Sequence, residues 1–152
     1  MHPGSPWVVM RMSVDSAVLS PGAFWRIVTT LMSARIDRDI DLYNLLVTAR
    51  ETGQAVLDYA KYNRWLSDSF ERAYGIPIKN YFDECMGRKK LEANYGPDYM
   101  EYQCWYSLLL RVFLIIHEPT SASDITQSAV TQASEKLRGM ERRYGEVGET
   151  GE

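Results

Sequence analysis

The amino-acid sequence predicts an all-α, single-domain helical bundle of about five to six helices. Apolar residues recur at steps of three and four in several segments, the spacing that places them on one face of a helix. No segment alternates apolar and polar residues over any length as a half-buried strand does, although 7–10 is a short candidate. The 152 residues are 45% hydrophobic and 24% charged, which favours one packed globular core.

The segment near 99–117 is predicted to form the central helix. Gly96-Pro97-Asp98 introduces it, and His117-Glu118-Pro119 closes it. From Trp105 to Ile116 this segment is apolar on nearly every side, so we expect the other helices to surround it. Its apolar run is too short for a bilayer, which requires about 20 residues, and we expect no membrane span.

The chain before this segment contains several signals for the start and end of a helix. Ser20-Pro21 is typical of a helix start, and a second helix is expected from the aspartates at 37, 39 and 41 to about Glu51. Thr52-Gly53 is a candidate break, yet the helical pattern continues to Tyr74, which leaves either one long helix or two. Gly75-Ile76-Pro77 ends the pattern.

Two further helices complete the predicted bundle. One extends from about Ile78 to Met86 or Leu91, and the last is expected from a Ser123 cap to about Tyr144. The predicted organisation is a loosely packed or flexible segment at 1–19, the helical domain at 20–144 and a disordered tail at 145–152.

Charge and motif content narrow the classes of function. The net charge of −3 provides no global attraction to nucleic acid or anionic membranes. Cys85 and Cys104 have no CxxC spacing, so free thiols are expected in the cytoplasm or another reducing compartment. No metalloprotease, Walker or nucleophile-elbow motif occurs, so we expect no metal and no cofactor and favour a protein that is not an enzyme.

One pair of residues forms a candidate catalytic motif. Arg111 is followed by five apolar residues and then His117, a spacing that resembles the Arg-x(4 to 6)-His signature of the HEPN family of small helical ribonucleases. The resemblance implies that Arg111 stabilises charge on a phosphate and that His117 transfers a proton at a ribose hydroxyl, in a site commonly formed across a dimer. Within one regular helix, however, two residues six positions apart do not share a face.

A basic and aromatic zone at 59–90 is a candidate nucleic-acid surface. It contains seven basic and four acidic residues, interleaved with Tyr59, Tyr62, Trp65, Tyr74 and Tyr81. Such a combination can hold phosphates and stack unpaired bases, although the pattern favours a solvated helix face and a basic turn with buried aromatics. The candidate nucleic-acid-binding residues are Lys61, Arg64, Arg72, Arg88, Lys89 and Lys90.

The last helix presents a narrow apolar seam. Its members recur at steps of three and four on an otherwise polar helix: Ile125, Ala129, Ala133, Leu137, Met140 and Tyr144. The seam is expected either to pair with a second copy of the chain or to dock on its own bundle.

Taken together, these patterns favour a non-enzymatic helical interaction module that binds another macromolecule. A protein partner is the first expectation, with the chain itself as one option in a homodimer. A nucleic-acid-binding subunit using the 59–90 zone is the alternative, and a HEPN-like ribonuclease is the third.

Overall fold

A computed structural model of the chain describes residues 21–36, 38–89, 96–117 and 124–140. These residues form six α-helices and no strand, which confirms the predicted all-α bundle. The helices are α1 (Pro21–Ser33), α2 (Asp39–Ala60), α3 (Arg64–Tyr74), α4 (Ile78–Lys89), α5 (Pro97–Ile116) and α6 (Asp124–Met140). The segments predicted at 1–19 and 145–152, the Ser123 cap and Tyr144 lie outside the described residues.

Helix α5 is the centre of the bundle, as its all-round apolarity predicted. The other five described helices all contact it, and α2 does so most extensively. Along α5, the side chains from Leu108 to Leu110 are fully buried, as are Val112 and Phe113. Among the described helices, none is both long and apolar enough to cross a membrane.

The region from Asp39 to Tyr74 is two helices, and the break between them falls at 61–63. Helix α2 continues through Thr52-Gly53, so the expected end near Glu51 is wrong. Asn63 begins α3 because its side-chain oxygen accepts a hydrogen bond from the Leu66 amide at 2.9 Å. Ser67 secures the corner by donating to the Ala60 carbonyl at 2.6 Å.

Two helices that pack on α5 end beside its first half. Phe24, early in α1, contacts Phe113 late in α5, whereas Leu31 and Met32 lie beside Tyr102 and near the α5 start, so α1 is antiparallel to α5. Helix α6 reaches the same region with its last residues, up to Met140. The ends of α1 and α6 therefore meet beside the first half of α5.

Candidate functional site

Arg111 is held on the side of α5 that faces α3 and α4. Its Nε donates to the Tyr81 hydroxyl at 2.9 Å, and its guanidinium lies 4.6 Å from the Tyr74 ring centroid. The Tyr81 hydroxyl also shares a 2.6 Å hydrogen bond with Ser107 Oγ. Burial raises the pKa of Tyr81, with the Arg111 charge opposing the shift, so this hydroxyl is neutral when it accepts from the arginine.

His117 lies at the end of α5 and faces α1. Its ring packs edge-on against Trp25 with centroids 5.3 Å apart, and lies 4.5 Å from the Phe113 ring. Burial lowers the pKa of His117 to about 4, so the imidazole is neutral at physiological pH.

Within one chain, the structure does not bring Arg111 and His117 together. Arg111 contacts tyrosines of α3 and α4, whereas His117 contacts Trp25 of α1. The separation follows from their six-residue spacing on a regular helix, which turns them to different sides. A ribonuclease that uses both residues stays a prediction, and no described contact within the chain supports it.

The basic and aromatic zone is dispersed over three helices. Of its five interleaved aromatics, Tyr59 and Tyr81 are buried and Tyr74 is half-buried, while Tyr62 and Trp65 are exposed. The exposed basic side chains are accompanied by exposed acidic ones, and Lys61 lies 3.6 Å from Asp58. The nucleic-acid candidates Lys61, Arg64, Arg72 and Arg88 are all exposed; Lys89 ends α4, and Lys90 lies outside the described residues.

The two exposed aromatics mark what we call the α2–α3 corner, formed by residues 61–65. Tyr62 is 87% exposed and Trp65 is 46% exposed. A cleft of about 390 Å³ adjoins this corner between α2, α3 and the start of α4. Its apolar lining consists of Leu57, Ala60, Pro77 and Ile78, and its charged lining of Lys61, Lys79 and Glu71.

The apolar seam of α6 is covered by the chain's own helices. Helix α6 packs against α5 and α1, and four seam residues are buried: Ala129, Ala133, Leu137 and Met140. Ile125 lies in the first turn of α6. The four buried side chains already have partners within the chain, so an intermolecular contact through them requires α6 to leave the bundle.

A larger cavity, which no sequence motif indicated, opens where α1 and α6 end beside α5. Its volume is about 860 Å³, within the roughly 300–1,000 Å³ range of small-molecule sites. Helix α5 contributes Tyr99, Tyr102, Gln103 and Tyr106, which recur at helical spacing on one face. The signal for this face was present in the sequence as polar and aromatic residues interrupting the most apolar helix.

The cavity wall combines aromatic and neutral polar groups. The rings of Tyr102 and Tyr106 are stacked, with centroids 5.5 Å apart and 12° between their planes. Burial raises the pKa of both hydroxyls, which are therefore protonated over the physiological range. Glu135 and Lys136 of α6 contribute one charge of each sign. We call this site the α1–α5–α6 cavity.

The described residues also limit two further types of site: a metal site and a reactive cysteine. Among them, no group of three or more His, Cys, Asp and Glu side chains is placed to hold a metal ion. Cys85 and Cys104 are both buried. Burial keeps both thiols away from solvent oxidants.

Comparisons with protein-family models, curated proteins and solved structures found no match to this chain.

Proposed function

We propose that this protein is a non-enzymatic helical interaction module that binds a protein partner at the α2–α3 corner. The observation that carries the proposal is the exposure of Tyr62 and Trp65, three positions apart in sequence at one corner of the fold. Tryptophan and tyrosine are enriched among the residues that dominate binding energy, because they bury a large area at little cost in conformational entropy. Two such side chains next to a cleft are typical of a docking surface.

The charge and shape of the adjoining cleft indicate the chemistry of the partner. Four of its lining residues are apolar, and among its charged lining residues Lys61 and Lys79 outnumber Glu71. Arg64 adds a further exposed positive charge at the same corner. An extended segment of a partner protein that carries apolar side chains beside carboxylates complements this surface.

Several observations favour a protein over a nucleic acid at this corner. The aromatics that would extend a base-stacking surface along the zone, Tyr59 and Tyr81, are buried. The exposed charges along α3 and α4 are of both signs, with Asp68, Glu71, Asp83 and Glu84 among them. A phosphate backbone is bound best by a surface of one sign. The cytoplasm or another reducing compartment is the proposed site of action, since two cysteines without CxxC spacing are too few for a disulfide framework.

Selection of short random peptides displayed on phage against the full chain tests the proposal. We expect enrichment of peptides that combine acidic and apolar residues, and we expect Trp65→Ala to weaken their binding by about tenfold or more. Tyr43→Ala is the matched control, because Tyr43 is an exposed aromatic outside the α2–α3 corner. This control is expected to bind the same peptides as the unmodified chain does.

Three outcomes contradict the proposal. The first is that no peptide is enriched, and the second is that the enriched peptides bind Trp65→Ala as tightly as they bind the unmodified chain. The third is that a single-stranded RNA oligonucleotide binds with a steep dependence on salt and loses its binding in Trp65→Ala, which would assign the corner to nucleic acid. Light scattering identifies a second copy of the chain as the partner if Trp65→Ala converts a dimer to a monomer.

A further inference from the structure

The α1–α5–α6 cavity contains a buried polar group whose hydrogen bond no described residue completes. Gln103, which lines the cavity, is only 7% exposed. Its Oε1 is buried and accepts no hydrogen bond from the part of the chain that the structure describes. A buried acceptor left unsatisfied loses its hydrogen bonds to water without a replacement, and such atoms in a fold call for a specific explanation.

The residues around Gln103 indicate what kind of ligand could donate a hydrogen bond to its Oε1. The stacked pair Tyr102 and Tyr106 lies on the same helix face and contributes aromatic side chains to the lining of the same cavity. The terminal torsion of a glutamine amide has a broad energy minimum, so the amide of a cavity-lining glutamine can rotate to meet a donor bound in the cavity. A ligand that is flat, apolar over most of its surface and provided with one N–H donor satisfies both features.

We propose that the α1–α5–α6 cavity binds a small planar nitrogen heterocycle whose N–H donates to Gln103 Oε1 and whose ring packs against Tyr102 and Tyr106. The single charges of opposite sign at Glu135 and Lys136 provide no net charge for the selection of a strongly ionic ligand, so the ring is an uncharged one. This site shares no lining residue with the cleft at the α2–α3 corner, and the two functions are tested separately.

Indole and indene are matched probes for this proposal, because they have nearly the same shape and only indole has an N–H. Their binding to the full ¹⁵N-labelled chain is followed by NMR titration. We expect indole to bind about tenfold more tightly than indene, with shift changes concentrated at the ends of α1 and α6 and the first half of α5. The preference has this size because indene leaves Oε1 unsatisfied as it fills the cavity.

Gln103→Leu is expected to abolish the preference for indole, because neither probe then has an acceptor to satisfy. Gln132→Leu is the matched control: Gln132 lines the same cavity from α6 but is exposed, and the preference should persist. Ala34→Trp places a bulky ring at the wall and is expected to abolish binding of both probes without changing Gln103.

The proposal is overturned if neither probe binds saturably or if both bind equally to the unmodified chain. A preference for indole that persists in Gln103→Leu also overturns it, as do shift changes that persist in Ala34→Trp. If Gln103→Leu does not fold, Ala34→Trp and the comparison of the two probes still decide between these outcomes.

Discussion

Gly53 in α2 lies directly against the indole of Trp105 in α5. A β-carbon at position 53 would have three atoms of that ring within 3.1 Å, closer than side chains tolerate. Trp105 also stacks on Phe82 of α4, with ring centroids 3.8 Å apart, and its Nε1 donates to Glu101 at 3.0 Å. A single indole therefore fixes the separation of α2 from α5 and the position of α4.

Gly53→Ala is expected to destabilise the protein by about 1–2 kcal/mol, even though alanine favours helices by about 1 kcal/mol over glycine. The added methyl group must displace either the rigid ring or the α2 backbone, and the resulting strain exceeds the gain in helix propensity. Urea unfolding followed by circular dichroism measures the change.

Gly87→Ala is the matched control for that prediction. A β-carbon at position 87, inside α4, would meet no atom within 4 Å. We expect this variant to gain about 0.5–1 kcal/mol from helix propensity alone. If both alanine variants shift stability in the same direction, the close approach at Trp105 does not determine the packing of α2.

Tyr81→Phe is expected to cost about 1–3 kcal/mol. The tyrosine hydroxyl bonds both Ser107 Oγ and Arg111 Nε, so its removal leaves two groups beside the core without this partner. The comparison variant is Tyr62→Phe, which removes a hydroxyl from an exposed ring and should leave the free energy of unfolding unchanged. Equal stability of the two variants would show that the network contributes nothing.

The ion pair between Arg50 and Glu101 is expected to contribute more than the surface pair of Lys61 and Asp58. Arg50 donates to both oxygens of Glu101, at 2.7 and 2.9 Å, and the hydrogen bonds lower the pKa of that carboxyl. Double-mutant cycles with alanine should give a coupling of about 1 kcal/mol for the first pair and close to zero for the second. A reversed order of the two couplings would contradict the geometry.

Stability is expected to fall as the pH falls from about 6.5 to about 4. In this window an unfolded chain protonates His117, whereas the folded chain keeps it neutral because burial lowers its pKa to about 4. The loss should be about 1–2 kcal/mol, less than the full shift implies because part of the ring contacts solvent.

His117→Phe should remove this component while retaining ring packing on Trp25 and Phe113. Since Glu101 also loses its stabilising charge in acid, the measured quantity is the difference in pH dependence between the two proteins. Parallel curves for the variant and the unmodified chain would refute the assignment to His117.

The helices and the central position of α5 were predictable because both depend on local signals. These are the spacing of apolar residues and the glycines and prolines at helix ends. The end of α2 was not predictable, because two tertiary effects decide it. Gly53 is retained within the helix by its place against Trp105, and the true break depends on the hydrogen bonds made by Asn63 and Ser67. Neither contact leaves a periodic signal in the sequence.

Candidate sites were less predictable than helices because residue type does not determine exposure. Tyr62 and Tyr81 belong to the same basic and aromatic zone, yet one is exposed and the other anchors Arg111. The α1–α5–α6 cavity depends on where α1 and α6 end relative to α5, which is a relation between distant segments. Gln103 indicates a ligand site only once the structure shows that its side chain is buried and its Oε1 lacks a donor among the described residues.

The place of α5 along the chain has a consequence for biosynthesis. Helices α1 to α4 precede residues 97–116 in the order of synthesis, although all four pack on that segment in the folded molecule. Helices that have emerged from the ribosome cannot bury their apolar faces against α5 until α5 has emerged as well. During that time chaperones and aggregation compete for the exposed faces. The native core can therefore form only once α5 has been synthesised.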